Sequence, residues 1–148
     1  MKCAKEMANA VQLKLINESM EREKRKAECI KEAIEHHYEH LSETNAYVEQ
    51  KLLEGNGTAE ILVAKDSLYC SGVGFFDGGF GAIFEKEYRN GYLWWDYQKL
   101  HIIHLNTYVK MLTDLCYNVE ISDATYVGYS CTGKSNRKVQ CVKLKISI

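Results

Sequence analysis

The chain has 148 residues, 46% of them hydrophobic and 26% charged, with a formal net charge of −1. That length fits one domain, or one domain with a helical extension, and is enough to bury a real core. The apolar content excludes a disordered chain, the near-zero charge argues against an acidic nucleic-acid mimic, and no apolar run approaches the roughly 18 residues of a membrane-spanning helix.

Residues 3–54 read as helix, because the chain has no Pro and its first Gly is Gly55. Ala4, Ala8, Val11 and Leu15 step by four and three along one face, and so do Ala27, Ile30, Ile34, His37 and Leu41. Between the two series the stripe nearly vanishes in Glu21-Arg22-Glu23-Lys24-Arg25-Lys26. The pairs Glu18–Arg22 and Glu21–Arg25, four residues apart, would hold a solvated helix through that gap. A break near 42–45, capped by Ser42 or Thr44, would open a short second helix, and Gly55-Asn56-Gly57 stops it. So thin a stripe on so long a helix needs a cover, either its own second helix or another chain. The expectation is a homodimer through the N-terminal helix.

Residues 58–65, 67–76, 79–88 and 92–97 read as a four-stranded antiparallel meander. Asp77-Gly78 and Asn90-Gly91 suit two-residue hairpin turns, which require positive φ. By alternation Phe80, Ala82, Phe84 and Tyr88 share a face. Residues 98–117 read as a further helix through Leu100, Ile103, Met111, Leu112 and Leu115, with Asp96 or Asn106 as its cap. Residues 119–129 and 138–148 then form two strands around a turn at 132–137. The expected fold is α+β: a long N-terminal helix broken near 42–45, an antiparallel meander, a second helix and a C-terminal hairpin. It divides into a helical region, 1–54, and an α+β domain, 55–148. No internal repeat, low-complexity tract or linker interrupts it.

The six cysteines, Cys3, Cys29, Cys70, Cys116, Cys131 and Cys141, show no C-x-x-C spacing. That spacing rules out zinc-ribbon and thioredoxin-like readings. Residues 1–10 lack the apolar stretch of a secretory signal. Reduced, mostly buried thiols and a cytoplasmic setting are expected.

Gly128-Tyr129-Ser130-Cys131-Thr132-Gly133-Lys134-Ser135 matches the phosphate-loop pattern G-x-x-x-x-G-K-[ST]. That loop needs a following helix, whereas Val139 to Ile146 alternate like a strand, so a hairpin turn is expected instead. In the glycine-rich stretch 72–81, Asp77 stands at the third glycine of a dinucleotide fingerprint, which removes that reading too. His36 and His40 share a helix face, but His37 occupies the glutamate position of H-E-x-x-H. His101 and His104 form a second pair, and four imidazoles could in principle meet. A solvated helix face is the plainer account of the first group. No nucleophile elbow, Cys–His arrangement or acid pair makes a catalytic constellation, so the chain is read as non-enzymatic, with no cofactor and no metal.

Binding residues are the remaining signal. Residues 69–97 hold 10 of the 16 aromatics, and the adjacent Trp94 and Trp95 cannot both face inward on one strand. Residues 131–148 hold five basic side chains, Lys134, Arg137, Lys138, Lys143 and Lys145, and no acidic one. They guard an edge hairpin or meet an acidic or phosphate-bearing partner. The candidate contact set is Tyr88, Arg89, Tyr92, Trp94 and Trp95 with Lys134, Arg137 and Lys138. As an alternative, Tyr69, Tyr88, Tyr92 or Trp94 would stack the base of a nucleotide messenger and Arg89, Lys134 or Arg137 would hold its phosphate. A small metal-dependent enzyme or a structural protein are further rivals.

The opening Met1-Lys2-Cys3-Ala4-Lys5-Glu6-Met7-Ala8-Asn9-Ala10, the stretch Cys29-Ile30-Lys31-Glu32-Ala33-Ile34 and the turn into a strand Glu54-Gly55-Asn56-Gly57-Thr58-Ala59-Glu60-Ile61 resemble small accessory proteins of phages and prophages of low-GC Gram-positive bacteria. So do the helix and strand entry Leu112-Thr113-Asp114-Leu115-Cys116-Tyr117-Asn118-Val119-Glu120-Ile121 and the closing basic strand Val142-Lys143-Leu144-Lys145-Ile146-Ser147-Ile148. Cys116 stands where such proteins carry glycine, and the aromatic segment 67–97 has no counterpart among them. The resemblance implies an accessory protein of a mobile element, acting in the bacterial host cytoplasm. It implies antagonism of host defence by stoichiometric binding to a host protein such as a CRISPR effector nuclease, as anti-CRISPR proteins do, or by sequestering a nucleotide signal. It carries over no site residues.

Overall fold

The computed structural model describes residues 1–65, 78–89, 92–129 and 136–148, with side chains for 1–65, 78–83, 101–125 and 140–148. In chain order the elements are α1 (Ala4–Glu39), α2 (Leu41–Glu54), β1 (Thr58–Ala64), β2 (Phe80–Arg89), β3 (Tyr92–His104), α3 (Leu105–Asp114), β4 (Asn118–Tyr129) and β5 (Asn136–Ser147). Every described strand pairing is antiparallel, and the order across the sheet is β3-β2-β1-β5-β4. The fold is α+β. The strand expected at 67–76 lies outside the described residues.

Alternation sorts the sheet into two faces. On one face lie Ala59, Ile61 and Val63 of β1, Ile83 of β2, Ile103 of β3, and Val142, Leu144 and Ile146 of β5, all buried. Val48 and Leu52 of α2 and Leu105, Tyr108 and Leu112 of α3 cover this face and complete the main core. Burying aliphatic side chains of this size stabilises a fold by roughly 1.5–3 kcal/mol each. The opposite face carries a smaller cluster, Phe80, Ala82 and Ile102, packed under Ala33 and Ile30 of α1. The α1–α2 junction therefore straddles β3, the edge strand of the described sheet, with α1 on one face and α2 on the other.

The helix break falls at His40 (φ −109, ψ 13), just before the expected 42–45, and neither Ser42 nor Thr44 caps α2. Thr44 Oγ1 donates to the His40 carbonyl at 3.1 Å, and the Thr44 N–H reaches the same carbonyl at 3.0 Å. The hydrogen-bond ladder thus continues across the junction, so no side-chain cap is required. The Gly55-Asn56-Gly57 stop is observed: Asn56 (φ 53) and Gly57 (φ 93) are left-handed, and the Gly57 N–H bonds the Leu52 carbonyl at 2.8 Å.

The helix expected over 98–117 is corrected. Residues up to His104 continue β3, and α3 starts at Leu105. Ile102 and Ile103 are both buried, on opposite faces, so this stretch is apolar on both sides and its periodicity cannot separate strand from helix. Neither Asp96 nor Asn106 caps α3; its N-cap is His104, and the Leu105 N–H donates to the Gly79 carbonyl at 2.9 Å. The pairing of β2 with β3 shifts register between Phe84 and Lys86, so alternation does not run straight from Phe80 to Tyr88.

The thiols also differ from expectation. Cys29 is disulfide-bonded. Of the described free thiols, Cys141 is buried while Cys3 and Cys116 are exposed. Both exposed cysteines sit at helix ends, Cys3 as the N-cap of α1 and Cys116 in the turn after α3.

Among the described residues, nothing covers the first six turns of α1. Every residue of 1–25 is exposed except Ala10, which is half-buried. Val11, Leu13, Leu15, Ile16 and Met20 are all among the exposed apolar side chains. Among the described residues, no helix is long and apolar enough to cross a membrane.

Candidate functional site

The sequence-predicted contact residues lie on two hairpins. Tyr88 and Arg89 end β2 and pair with Leu93 and Tyr92, while Trp94 and Trp95 of β3 pair with Glu87 and Lys86. Arg89 stands directly opposite Tyr92, the register expected of a two-residue connection. Arg137 and Lys138 of β5 pair with Gly128 and Val127 of β4. Lys134 and Tyr69 lie outside the described residues. Strand follows the phosphate-loop-like stretch, since β5 begins at Asn136, so the helix that such a loop requires is absent.

Register places the two hairpins at opposite ends of the sheet. Ala64, the last residue of β1, pairs with Ala82 near the start of β2 and with Cys141 in β5. From there β2 runs back alongside β1 towards Thr58, so Arg89 and Tyr92 lie at the Thr58 end. Strand β5 begins beyond Ala64, so Asn136 and Arg137 lie at the other end. Among the described candidate cations, Arg89 alone accompanies the aromatic hairpin within one chain.

What the fold does bring together is histidine. All five histidines of the chain, His36, His37, His40, His101 and His104, gather where the α1–α2 junction crosses the β3 edge. The His36 and His40 rings lie 4.4 Å apart, one helical turn along α1. His101 stacks on Tyr47 of α2 at 5.1 Å, and its Nδ1 is 3.5 Å from Thr44 Oγ1. His104 packs edge-on against Phe80 at 4.9 Å, with Nδ1 2.6 Å from Thr107 Oγ1. His37 and His101 are buried, and the other three are half-buried.

His37 is bonded to the strand backbone. Its Nδ1 accepts from the His104 N–H at 3.4 Å. A hydrogen bond with the Ile102 backbone favours its charged form, as donation to a carbonyl does. An edge strand leaves alternate backbone groups unpaired, and this imidazole supplies a donor and an acceptor two residues apart, as a neighbouring strand would. Burial pulls the pKa of His37 below the ordinary imidazole value, and the nearby His104 adds to that. Burial, then His40 and His101, lower His36, while Glu39 and Glu43 oppose them. His40 Nδ1 lies 3.3 Å from Glu43 Oε2, so this ring has a carboxylate at hand.

The sequence shows the pairs His36–His40 and His101–His104 and allows four imidazoles to meet, with a solvated helix face as the plainer account of the first group. The signal for His37 was its place in the apolar series with Ile30, Ile34 and Leu41. Bringing the two groups together required knowing that residues 98–104 are strand. Among the described residues, no group of three or more His, Cys, Asp or Glu is arranged to hold a metal ion. No protein-family model, curated protein or solved structure matches the chain.

Proposed function

We propose that this is a non-enzymatic binding protein of a phage or other mobile element, which antagonises a bacterial defence protein by occupying it stoichiometrically. The observation that carries the binding mode is the uncovered arm of α1. At 36 residues α1 is about 54 Å long, and only its C-terminal part packs on the sheet. An isolated helix of some 20 residues is marginal in water, and one that exposes Leu13, Leu15, Ile16 and Met20 calls for a covering surface. A second copy of the chain covers the arm in a homodimer. The aromatic hairpin with Tyr88, Arg89, Tyr92, Trp94 and Trp95 meets the defence protein at one end of the sheet. The basic residues Arg137 and Lys138 of β5, with Lys134 just before them in sequence, offer a second contact.

The test is titration of a purified CRISPR effector nuclease with the full chain. Inhibition should rise linearly to an end point at a fixed molar ratio, and Trp94→Ala should move the end point or abolish it. Complete loss of nuclease activity at a small fraction of the effector concentration would instead identify an enzyme. A nuclease unaffected at molar excess removes that effector as the target.

A further inference from the structure

We propose that the histidine cluster is a proton-operated latch: neutral His37 fastens the end of α1 to the edge strand β3, and mild acid releases it. The first argument is the bond itself. Nδ1 of His37 accepts from the His104 N–H at 3.4 Å, so the ring must be neutral at that nitrogen. An imidazolium has no acceptor, and protonation turns this contact into two opposed donors. The second argument is the packing. Among the described residues, α1 packs on this face through Ala33 and Ile30 against Phe80, Ala82 and Ile102, and Cys29 is disulfide-bonded. This is a small cluster beside the main core, and His37 adds the hydrogen-bonded contact to β3.

The surroundings decide the sign. From α1, His36, Glu39 and His40 face the junction; from α2, Glu43, Thr44 and Tyr47; from β3, His101 and His104; from α3, Thr107. Glu43 Oε2 sits 3.3 Å from His40 Nδ1. Burial disfavours the His37 cation and the nearby His104 imidazole adds to that, while the Ile102 backbone contact opposes them. Protonation of His37 therefore sets a cation against the His104 N–H at the α1–β3 contact.

The experiment is hydrogen exchange of the full chain at about pH 7.5 and about pH 5.5, corrected for intrinsic exchange rates. Amides of residues 30–40 should lose at least about tenfold of their protection in acid relative to α3 and β5. His37→Gln, whose carboxamide keeps a donor and an acceptor but does not titrate, should flatten that change. The proposal is overturned if residues 30–40 follow α3 and β5 at both pH values, or if His37→Gln shows the same acid loss as the native chain. Should that variant not fold, NMR titration of the native histidines decides. The β3 amides of 102–104 should shift with the His37 midpoint, and flat amide shifts through that midpoint would sink the latch.

Discussion

Cys116 shows how much a single backbone angle can decide. It lies in the turn after α3 with φ 69, a region that L-residues other than Asn and Asp rarely enter. The Tyr117 N–H bonds the Leu112 carbonyl and the Cys116 N–H bonds the Thr113 carbonyl, both at 3.0 Å, which is the glycine-type helix stop made without glycine. Cys116→Gly should therefore stabilise the protein by about 0.5–1 kcal/mol, read as a higher urea midpoint at unchanged slope. Gly55 is the opposite case. Its φ is an ordinary −92, yet a Cβ there would come within 1.8 Å of the Thr58 carbonyl oxygen. Backbone cannot yield as a side-chain tip can, so Gly55→Ala should destabilise by about 1–3 kcal/mol in the same assay.

At the scale of elements, α1 divides into two parts with different physics. Its last three turns bury Ala33 and His37 and share the disposition of the sheet. Its first six turns rest on helix propensity and on surface ion pairs such as Lys14–Glu18 at 3.7 Å, whose contribution is a few tenths of a kcal/mol at most. If a second copy covers this arm, melting depends on protein concentration. Leu13→Glu with Ile16→Glu should then weaken association at least about tenfold while changing the monomer by no more than about 0.5 kcal/mol, since both side chains are exposed. Sedimentation equilibrium of the two proteins over a concentration series checks this. Equal association in both would place the dimer seam elsewhere.

Across the whole molecule, the histidine cluster ties stability to pH. The unfolded chain titrates its imidazoles near the ordinary value of about 6.5, whereas His36 and His37 titrate lower in the fold. The unfolded state therefore binds protons first. The contribution of these groups is complete above about pH 6.5 and is lost as pH falls through that value towards the folded ones. Urea midpoints should drop between about pH 7.5 and 5.5, and His37→Gln should reduce the drop. Glu54 works in a separate, more acid window. Lys51 and Gln50 hold its carboxylate below the usual range, so its effect fades only as pH falls below about 4.5. A midpoint that is constant from pH 7.5 to 5.5 would contradict the assignment of His36 and His37 as depressed imidazoles.

Local chemistry was legible wherever neighbours in sequence are neighbours in space. The helix of 3–54, its stop at Gly55-Asn56-Gly57, and the hairpin of β4 with β5 all follow from periodicity of 3.6 or 2 and from residues suited to positive φ. The α+β class follows from those same elements. Residues 98–104 fit helix or strand alike, because a strand buried on both faces loses the alternation that identifies it. The cap of α3 was missed for a related reason, since the Gly79 carbonyl that receives the Leu105 N–H is 26 positions away in the chain. Tertiary structure alone decided that the two groups of histidines meet, because only the crossing of the α1–α2 junction over the β3 edge brings 36–40 against 101–104. It also decided that the aromatic and basic hairpins sit at opposite ends of the sheet. Composition reports which side chains a chain carries; strand register reports which of them share an end, and register is fixed by long-range pairing.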